Sequence, residues 1–292
     1  MSSDLAGRAS AARLFVYLAR EAPIGVVLRR GPSAWARLSL WHTDTDAFEH
    51  GQWFRGRVYE RRSDLSADGR LFVYFARRSG GRAPNDLADS WIAVSRPPWF
   101  TALALWAVGG TYCLGGFFPG HRPRASRSLW LGWDRPPDLG RLPAWLRVTT
   151  DPPPHVDRTN NWTERTVYLS RLLRDGWTPV PGARPETWQR PHPSGQLSLV
   201  MTQVGFEYRA AGGPYLVDYA VRYEPSGGTL PLGRASWADW DQGGRLIIAR
   251  DGRLLHWQPP EVLHEIADLN PQTPSPAAAP ARARAWPAGR RR

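Results

Sequence analysis

The chain contains no lysine, although it is rich in positive charge: all 38 of its basic residues are arginine. Reactions that need a lysine side chain are therefore excluded, among them nucleotide hydrolysis by a P-loop, Schiff-base chemistry and phosphoryl transfer by a kinase-type lysine. No motif indicates a cofactor, and we expect none. Abundant Arg, Ala, Gly, Pro and Trp together are typical of GC-rich coding sequence and indicate a bacterial source.

Cysteine is nearly absent as well, since Cys113 is the only one in the chain. A single cysteine cannot form an internal disulfide, and no other feature indicates an oxidising compartment. A catalytic thiol needs a histidine partner, but the seven histidines show no family spacing relative to Cys113. We therefore expect Cys113 to be a small buried hydrophobic residue.

The chain is also poor in long apolar runs. Near the N-terminus the apolar stretch 14–19 is only six residues long and is flanked by Arg13 and Arg20, so a secretory signal is not indicated and we predict a cytoplasmic protein. Residues 99–118 carry no charge and are long enough to span a bilayer. The glycine pairs at 109–110 and 115–116 instead predict turns beside two short buried strands, 100–106 and 111–114, and no integral membrane segment.

The sequence does contain a repeated turn-and-strand unit. In its fullest copy the dipeptide Asp68-Gly69 precedes the β-branched and aromatic run Leu71-Phe-Val-Tyr74. Glycine supplies the positive φ of a tight turn, and the run after it suits a pleated strand. Two related units end their turns at Gly195 and Gly244, and in each a tryptophan lies seven residues before the glycine: Trp188 and Trp237.

The spacing of these glycines predicts repeated sheets. Gly195 follows Gly69 by 126 residues, or three times 42, and Gly244 follows by a further 49; four-stranded propeller blades repeat every ~40–50 residues. The units resemble the Trp-x(n)-Ser-Pro-Asp-Gly-(Lys/Arg)-Leu repeat of TolB-type and WD40-like β-propellers, with residues 66–71 the nearest match. Ala67 replaces the proline of that repeat, and Ser194 and Gly243 replace its aspartate. The resemblance implies a fold and no activity.

Composition agrees with an all-β protein, because the chain has 28 Gly, 28 Pro and 34 aromatic residues (16 Trp, 9 Tyr and 9 Phe). We predict one domain, residues 1–268, built as a β-propeller of about six four-stranded blades. The alternative is another all-β sandwich or barrel. The octapeptides 13–20 and 70–77 are nearly identical but lie 57 residues apart, so the first is interpreted as a strand of an irregular first blade.

The C-terminal region changes character. Val262, Leu263, Ile266 and Leu269 share one helical face after two prolines, which predicts a short helix over residues 259–269. Beyond it, residues 269–292 are rich in Pro, Ala and Arg and contain no acid. Such a composition cannot bury enough apolar surface to offset the entropy of ordering, so we predict a disordered tail.

Net charge permits a nucleic-acid partner. Of the total of +12, the tail contributes five arginines, which leaves +7 for the domain (33 basic minus 26 acidic residues). The terminal Arg290, Arg291 and Arg292 are candidate contacts to a polyanion or another partner. The strand 215–223 places three tyrosines on one face, which predicts a half-buried strand, or a base-stacking platform if that face is exposed.

The densest polar cluster runs from His42 to His50. His42, Asp44 and Asp46 alternate, and Glu49 and His50 follow, so these five side chains are candidate metal ligands. Asp and Thr also stabilise hairpin turns through bonds to the backbone, which is the alternative. His192, held between two prolines, is a further candidate for contact with a partner, and the alternative is that its ring fills space within its own loop.

Three functions follow from these observations. We favour a non-enzymatic protein-interaction scaffold in a bacterial complex, since propellers commonly present binding surfaces on their loops. The second is a ligand- or metal-binding propeller enzyme that uses the segment from His42 to His50. The third is nucleic-acid binding through the arginines and the basic tail.

Overall fold

The computed structural model describes residues 11–31, 34–79, 89–111, 113–120, 128–132, 142–151, 165–206, 215–259 and 262–288. The chain divides into two compact units. Unit 1 lies within Met1–Val16, Arg29–Trp35 and Trp177–Pro274, and unit 2 within Tyr17–Leu28, Ala36–Gly176 and Ser275–Arg292. The described residues are predominantly β-structure in four sheets, as the composition predicts.

The first sheet has eight strands in the order β1-β2-β3-β4-β6-β7-β8, with β5 paired to β6. The strands are β1 Arg13–Leu18, β2 Ile24–Arg30, β3 Trp35–His42, β4 Ala47–Val58, β5 Asp64–Leu65, β6 Phe72–Arg78, β7 Ser90–Ser95 and β8 Ala102–Ala107. A three-stranded sheet follows, made of β9 Gly116–Phe117, β10 Ser128–Leu131 and β11 Arg147–Thr149. β10 pairs antiparallel with β9 and parallel with β11.

Two antiparallel meanders form the rest of the β-structure. The five-stranded sheet consists of β12 Thr178–Pro179, β13 Thr187–Pro191, β14 Leu197–Phe206, β15 Tyr215–Tyr223 and β16 Thr229–Arg234. The four-stranded sheet consists of β17 Trp237–Trp240, β18 Leu246–Arg250, β19 Arg253–Gln258 and β20 Val262–Asp268. In both sheets the strands lie in sequence order. Within the described ranges the helices are α1 Arg165–Arg174 and short 3-10 turns at Glu60–Arg62 and Ala281–Arg284.

The three motif glycines occupy the same position in three hairpin turns. Gly69, Gly195 and Gly244 have φ of +72°, +72° and +80°, in the left-handed region that favours glycine. Each donates its N–H to the carbonyl three residues earlier, in Ser66, His192 and Asp241 respectively. The turns join β5 to β6, β13 to β14, and β17 to β18.

The two octapeptides occupy different places in their hairpins. Residues 13–20 contain β1 and precede a turn in which Ala19 N–H donates to the Ile24 carbonyl at 2.8 Å. Residues 70–77 follow the equivalent turn, where Ser66 N–H donates to the Leu71 carbonyl at 2.8 Å. Similar composition therefore reflects a similar need for a buried strand and not a repeat of whole units.

The described residues between Gly69 and Gly195 do not form three equal four-stranded units. They form the remainder of the first sheet, one three-stranded sheet, α1, and the first two strands of the five-stranded sheet, β12 and β13.

The core of unit 2 bears on the predictions for Cys113 and for the uncharged run 99–118. A buried cluster includes Phe75, Ile92 and Leu129 together with Cys113, which is 1% exposed and so is the buried hydrophobic residue expected. The uncharged run 99–118 is less regular than predicted. Its first strand, β8, is half exposed, and its second, β9, begins only after Gly115, whose φ is +86°.

No helix within the described ranges is long and apolar enough to cross a membrane.

The predicted C-terminal helix is wrong. Residues 262–268 form strand β20, which pairs with β19 through Val262 opposite Gln258 and Leu263 opposite Trp257. β-branched residues such as Val262 and Ile266 favour a pleated strand when a partner strand is present. Apolar spacing alone does not reveal that partner.

The tail is also more ordered than predicted through residue 288. In unit 2, Ala283 is fully buried and Trp286 packs edge-to-face on Trp145 at 6.0 Å. Arg96 donates to the Arg282 carbonyl at 2.9 Å, and Gln52 donates to the Ala277 carbonyl at 3.2 Å. The tail therefore gains contacts that its composition does not reveal.

Candidate functional site

The segment from His42 to His50 comprises the end of β3, a hairpin turn at residues 43–46 and the start of β4. Asp46 has φ of +55°, and its carboxylate accepts a hydrogen bond from Trp41 Nε1 at 3.1 Å. The Thr45 N–H donates to the His42 carbonyl at 3.3 Å. Asp44 lies exposed at the tip. These contacts are those of an Asp-stabilised turn.

The other two candidates have separate partners. Glu49 forms an ion pair with Arg282, and His50 Nδ1 lies 2.9 Å from Ser39 Oγ. Partial burial, and then the charge of Arg37, lowers the pKa of His50. Over the described ranges, no group of three or more His, Cys, Asp and Glu side chains is arranged to hold a metal ion. The five predicted ligands are therefore not brought together.

His192 ties two hairpin turns of unit 1 to each other. Its Nδ1 accepts the Ser194 N–H at 3.1 Å, and its Nε2 lies 3.0 Å from the Gly244 carbonyl oxygen. Its ring packs edge-to-face on Trp240 at 4.8 Å. Both nitrogens are thus used within the unit, as expected for a structural role, and contact with a partner stays a prediction. The tail candidates Arg290, Arg291 and Arg292 lie outside the described residues.

Unit 2 contains a buried ion network centred on Asp64, which is 2% exposed. Arg174 of α1 forms a two-pronged ion pair with this carboxylate, and Arg171 Nε approaches it at 3.3 Å. The Phe118 N–H donates to it at 2.9 Å. Such dense pairing is what a buried carboxylate needs.

The network extends from Arg174 to Asp175. Burial lowers the pKa of Arg174, but Asp175 and Asp64 outweigh that effect and raise it above its ordinary value. Burial similarly acts to raise the pKa of Asp175, yet Arg174 beside it holds that pKa below its usual range. Arg20 lies 3.8 Å from Asp175 and donates to the Gly120 carbonyl at 2.7 Å. Arg174 and Asp175 are therefore each stabilised as ions.

Unit 1 has its own buried carboxylate, Asp239 of β17, which is 8% exposed. It accepts hydrogen bonds from Trp177 Nε1 at 3.2 Å and from the Trp240 N–H at 2.8 Å, and it pairs with Arg190. Burial raises the pKa of Asp239, and the opposing effects of Arg190 and Trp177 do not fully offset it.

Neither Asp64 nor Asp239 is among the candidate residues predicted from the sequence, although the repeated motif contains a signal for both. Each lies five residues before its turn glycine, Asp64 before Gly69 and Asp239 before Gly244. Each also occupies the second-to-last paired position of its strand. Aligning the turns on glycine places Arg190 at the same position of β13. An aligned polar position within an otherwise apolar strand is the feature that distinguishes these residues.

A cavity of about 310 Å³ lies within unit 1. It is bounded by β16, β18, β19 and β20, and its lining residues are Leu230, Pro231, Leu232, Ile248, Arg250, Trp257 and Leu263. This volume is at the lower end of the range for small-molecule pockets. The lining contains no carboxylate, histidine, serine or cysteine. It is therefore suited to binding and lacks the side chains of nucleophilic or acid-base catalysis.

No protein-family model matches the chain, and no curated protein matches it. The solved structures that are similar to it include the following two. The first, the crystal structure of the tricorn protease, aligns over 87% of this chain at 9% identity with a TM-score of 0.23. The second, the GH43 BlXynB protein from Bacillus licheniformis, aligns over 92% at 11% identity with a TM-score of 0.31.

The chain spans only 22% of the first of these proteins and 57% of the second. At such TM-scores neither likeness identifies a fold family or an activity.

Proposed function

We propose that the protein is a non-enzymatic interaction module, a cytoplasmic scaffold of a bacterial complex, with its sheets arranged as a β-propeller of about six blades. The observation that supports a binding role is the outer edge of β20. This strand ends the order of its sheet, and in the described part of the chain it pairs with β19 alone.

The side chains of β20 suit a protein partner. Residues 262–265 are all exposed, and among them Val262 and Leu263 are 48% and 41% exposed. Edge strands are commonly guarded by charge or proline, because their free N–H and C=O groups accept another strand. Two large exposed apolar side chains beside His264 and Glu265 on such an edge favour a partner that adds an extended segment to the sheet.

Photo-crosslinking tests this interaction surface. We expect a photoreactive amino acid at Val262 to capture a discrete partner in cells. The same amino acid at Val204, which is 41% exposed on β14 in the interior of its sheet, serves as the matched control. Val262→Lys should reduce recovery of that partner at least about tenfold, because it charges the edge, whereas Val204→Lys should not.

Identical adducts at both positions, or recovery unaffected by Val262→Lys, would contradict the proposal. The two other functions predicted from the sequence, metal or ligand chemistry at His42–His50 and nucleic-acid binding, stay predictions that no contact of the described residues favours.

A further inference from the structure

The residues that line the cavity of unit 1 are chemically different at the two ends of the β18–β19 hairpin. Strand register places Trp257 opposite Leu246 at one end of the β18–β19 hairpin and Arg250 opposite Arg253 at the other. Four residues of antiparallel strand separate these positions, which corresponds to roughly 14 Å. Ile248, with Leu230 and Leu232 of β16, lines the cavity along with these two residues. The cavity is therefore mainly aliphatic, with an indole and a guanidinium at separate positions along it.

Arg250 supplies a positive charge without a matching acid. Its Nε donates to the Arg234 carbonyl at 3.0 Å, and its Nη2 donates to the Leu232 carbonyl. Of the five N–H donors of a guanidinium, these two bonds leave three. Among the described residues no carboxylate forms an ion pair with Arg250. The charge is permanent, and a carboxylate is the anion whose geometry the guanidinium fork matches.

We propose that this cavity binds a free carboxylic acid with an extended hydrocarbon chain. The carboxylate pairs with Arg250, and the chain lies along Ile248 and the two leucines toward Trp257. This ligand site goes beyond the interaction function proposed for β20. The site and that strand share Leu263, which lines the cavity and is exposed on β20.

The aliphatic lining favours a free acid over the C-terminus of a peptide. A peptide that entered from Arg250 would bring an amide N–H and a carbonyl with every residue. Aliphatic side chains give these groups no hydrogen-bond partners, and burying them unpaired is costly. A hydrocarbon chain carries no such groups and gains from the same burial.

Calorimetric titration of the full-length wild-type protein tests the proposal directly. The probes are decanoate, decan-1-ol, decylammonium and the peptide acetyl-Gly-Leu-Leu with a free C-terminus. We expect decanoate to bind at least about tenfold more tightly than the alcohol, since a hydrogen bond to a charged group is lost in the alcohol. Decylammonium should bind more weakly than either, because Arg250 repels it.

Variants locate the site. Arg250→Gln should remove the preference for decanoate over decan-1-ol, whereas Arg253→Gln, an exposed arginine on the same hairpin, should preserve it. Leu230→Trp should fill the cavity and weaken decanoate and decan-1-ol alike.

Equal affinity for acid and alcohol, tighter binding of the peptide than of decanoate, or no heat with any probe would each overturn the proposal. These outcomes come from the wild-type protein, so they do not depend on whether a variant folds. They also leave the crosslinking result at Val262 unaffected.

Discussion

The two units each contain a buried aspartate at the same place in the same kind of hairpin, but they surround it differently. In unit 2, Asp64 contacts two arginines of α1 and a backbone N–H. In unit 1, Asp239 contacts one arginine, an indole N–H and a backbone N–H. The Arg174 side chain is 2% exposed, whereas that of Arg190 is 25% exposed. The carboxylates at these equivalent strand positions are therefore paired with different numbers of arginines.

This difference shows that burial and pairing must be weighed separately at each carboxylate. Burial penalises a charge, and only enough donors and opposite charge offset that penalty. The single, partly exposed Arg190 leaves the pKa of Asp239 raised. Arg174, which is fully enclosed, lowers the pKa of Asp175 despite the same opposing effect of burial.

The largest expected effect is at the better supported aspartate. Asp64→Asn removes the negative charge between Arg174 and Arg171 and leaves both guanidiniums buried without it. We expect a loss of about 3–5 kcal/mol in the free energy of unfolding, as for other broken buried pairs, measured by urea denaturation.

Asp89→Asn is the matched control, because Asp89 pairs with Arg77 on the surface, where both side chains are about half exposed. Exposed pairs contribute at most about 1 kcal/mol. Equal losses in the two variants would mean that the buried network contributes no more than a surface pair.

An intermediate effect is expected at the turn glycines. Gly69→Ala and Gly195→Ala impose the same left-handed strain, because both glycines have φ of +72°. An added Cβ at Gly69 meets Ile24 Cγ2 at 2.8 Å, but at Gly195 nothing lies within 4 Å. We expect Gly69→Ala to destabilise by about 1–3 kcal/mol more than Gly195→Ala, measured by thermal and urea unfolding.

A Gly195→Ala variant as unstable as Gly69→Ala would instead indicate that backbone strain alone sets the cost.

The smallest expected effect is a pair of opposite pH dependences. The pKa of Asp239 is raised in the folded state. Its contribution to stability is therefore complete below the unfolded pKa of about 3.9 and is lost as pH rises through the folded pKa. The pKa of Asp175 is lowered, so its contribution is present above the unfolded pKa and is lost as pH falls through the folded one.

Urea midpoints measured from acidic to neutral pH test this contrast. The stability difference between wild type and Asp239→Asn should move against the wild type as pH rises, and the difference for Asp175→Asn should move in its favour. Parallel pH profiles for the two variants would show that the two carboxylates do not differ in this way.

Local features could be predicted well from the sequence. Gly69, Gly195 and Gly244 lie in tight turns because a positive φ needs glycine, which is decided within a few residues. The alternation in β15 buries Val217, Tyr219 and Val221. Tyr215 and Tyr223 at the two ends of the strand are partly exposed, so β15 is the half-buried strand that the alternation predicts. Period-two alternation is also a local signal.

Features that depend on distant partners could not be predicted in this way. The spacing of Val262, Leu263 and Ile266 fits a helix, yet pairing with β19 makes that segment a strand. The composition of the tail predicts disorder, but Ala283 in the tail is buried in unit 2. In each case the deciding contact lies with residues that the local pattern does not include.

The sequence by itself determined the turns at Gly69, Gly195 and Gly244, the strand over residues 215–223, the absence of lysine chemistry and the burial of Cys113. Each of these follows from backbone preference, side-chain type or composition. The tertiary structure alone decided that Arg174, 110 residues away in the chain, neutralises Asp64, and that β16 closes a cavity over β18 beside Arg250. Desolvation and ion pairing depend on which residues come into contact in the folded chain, and the local sequence does not determine those contacts.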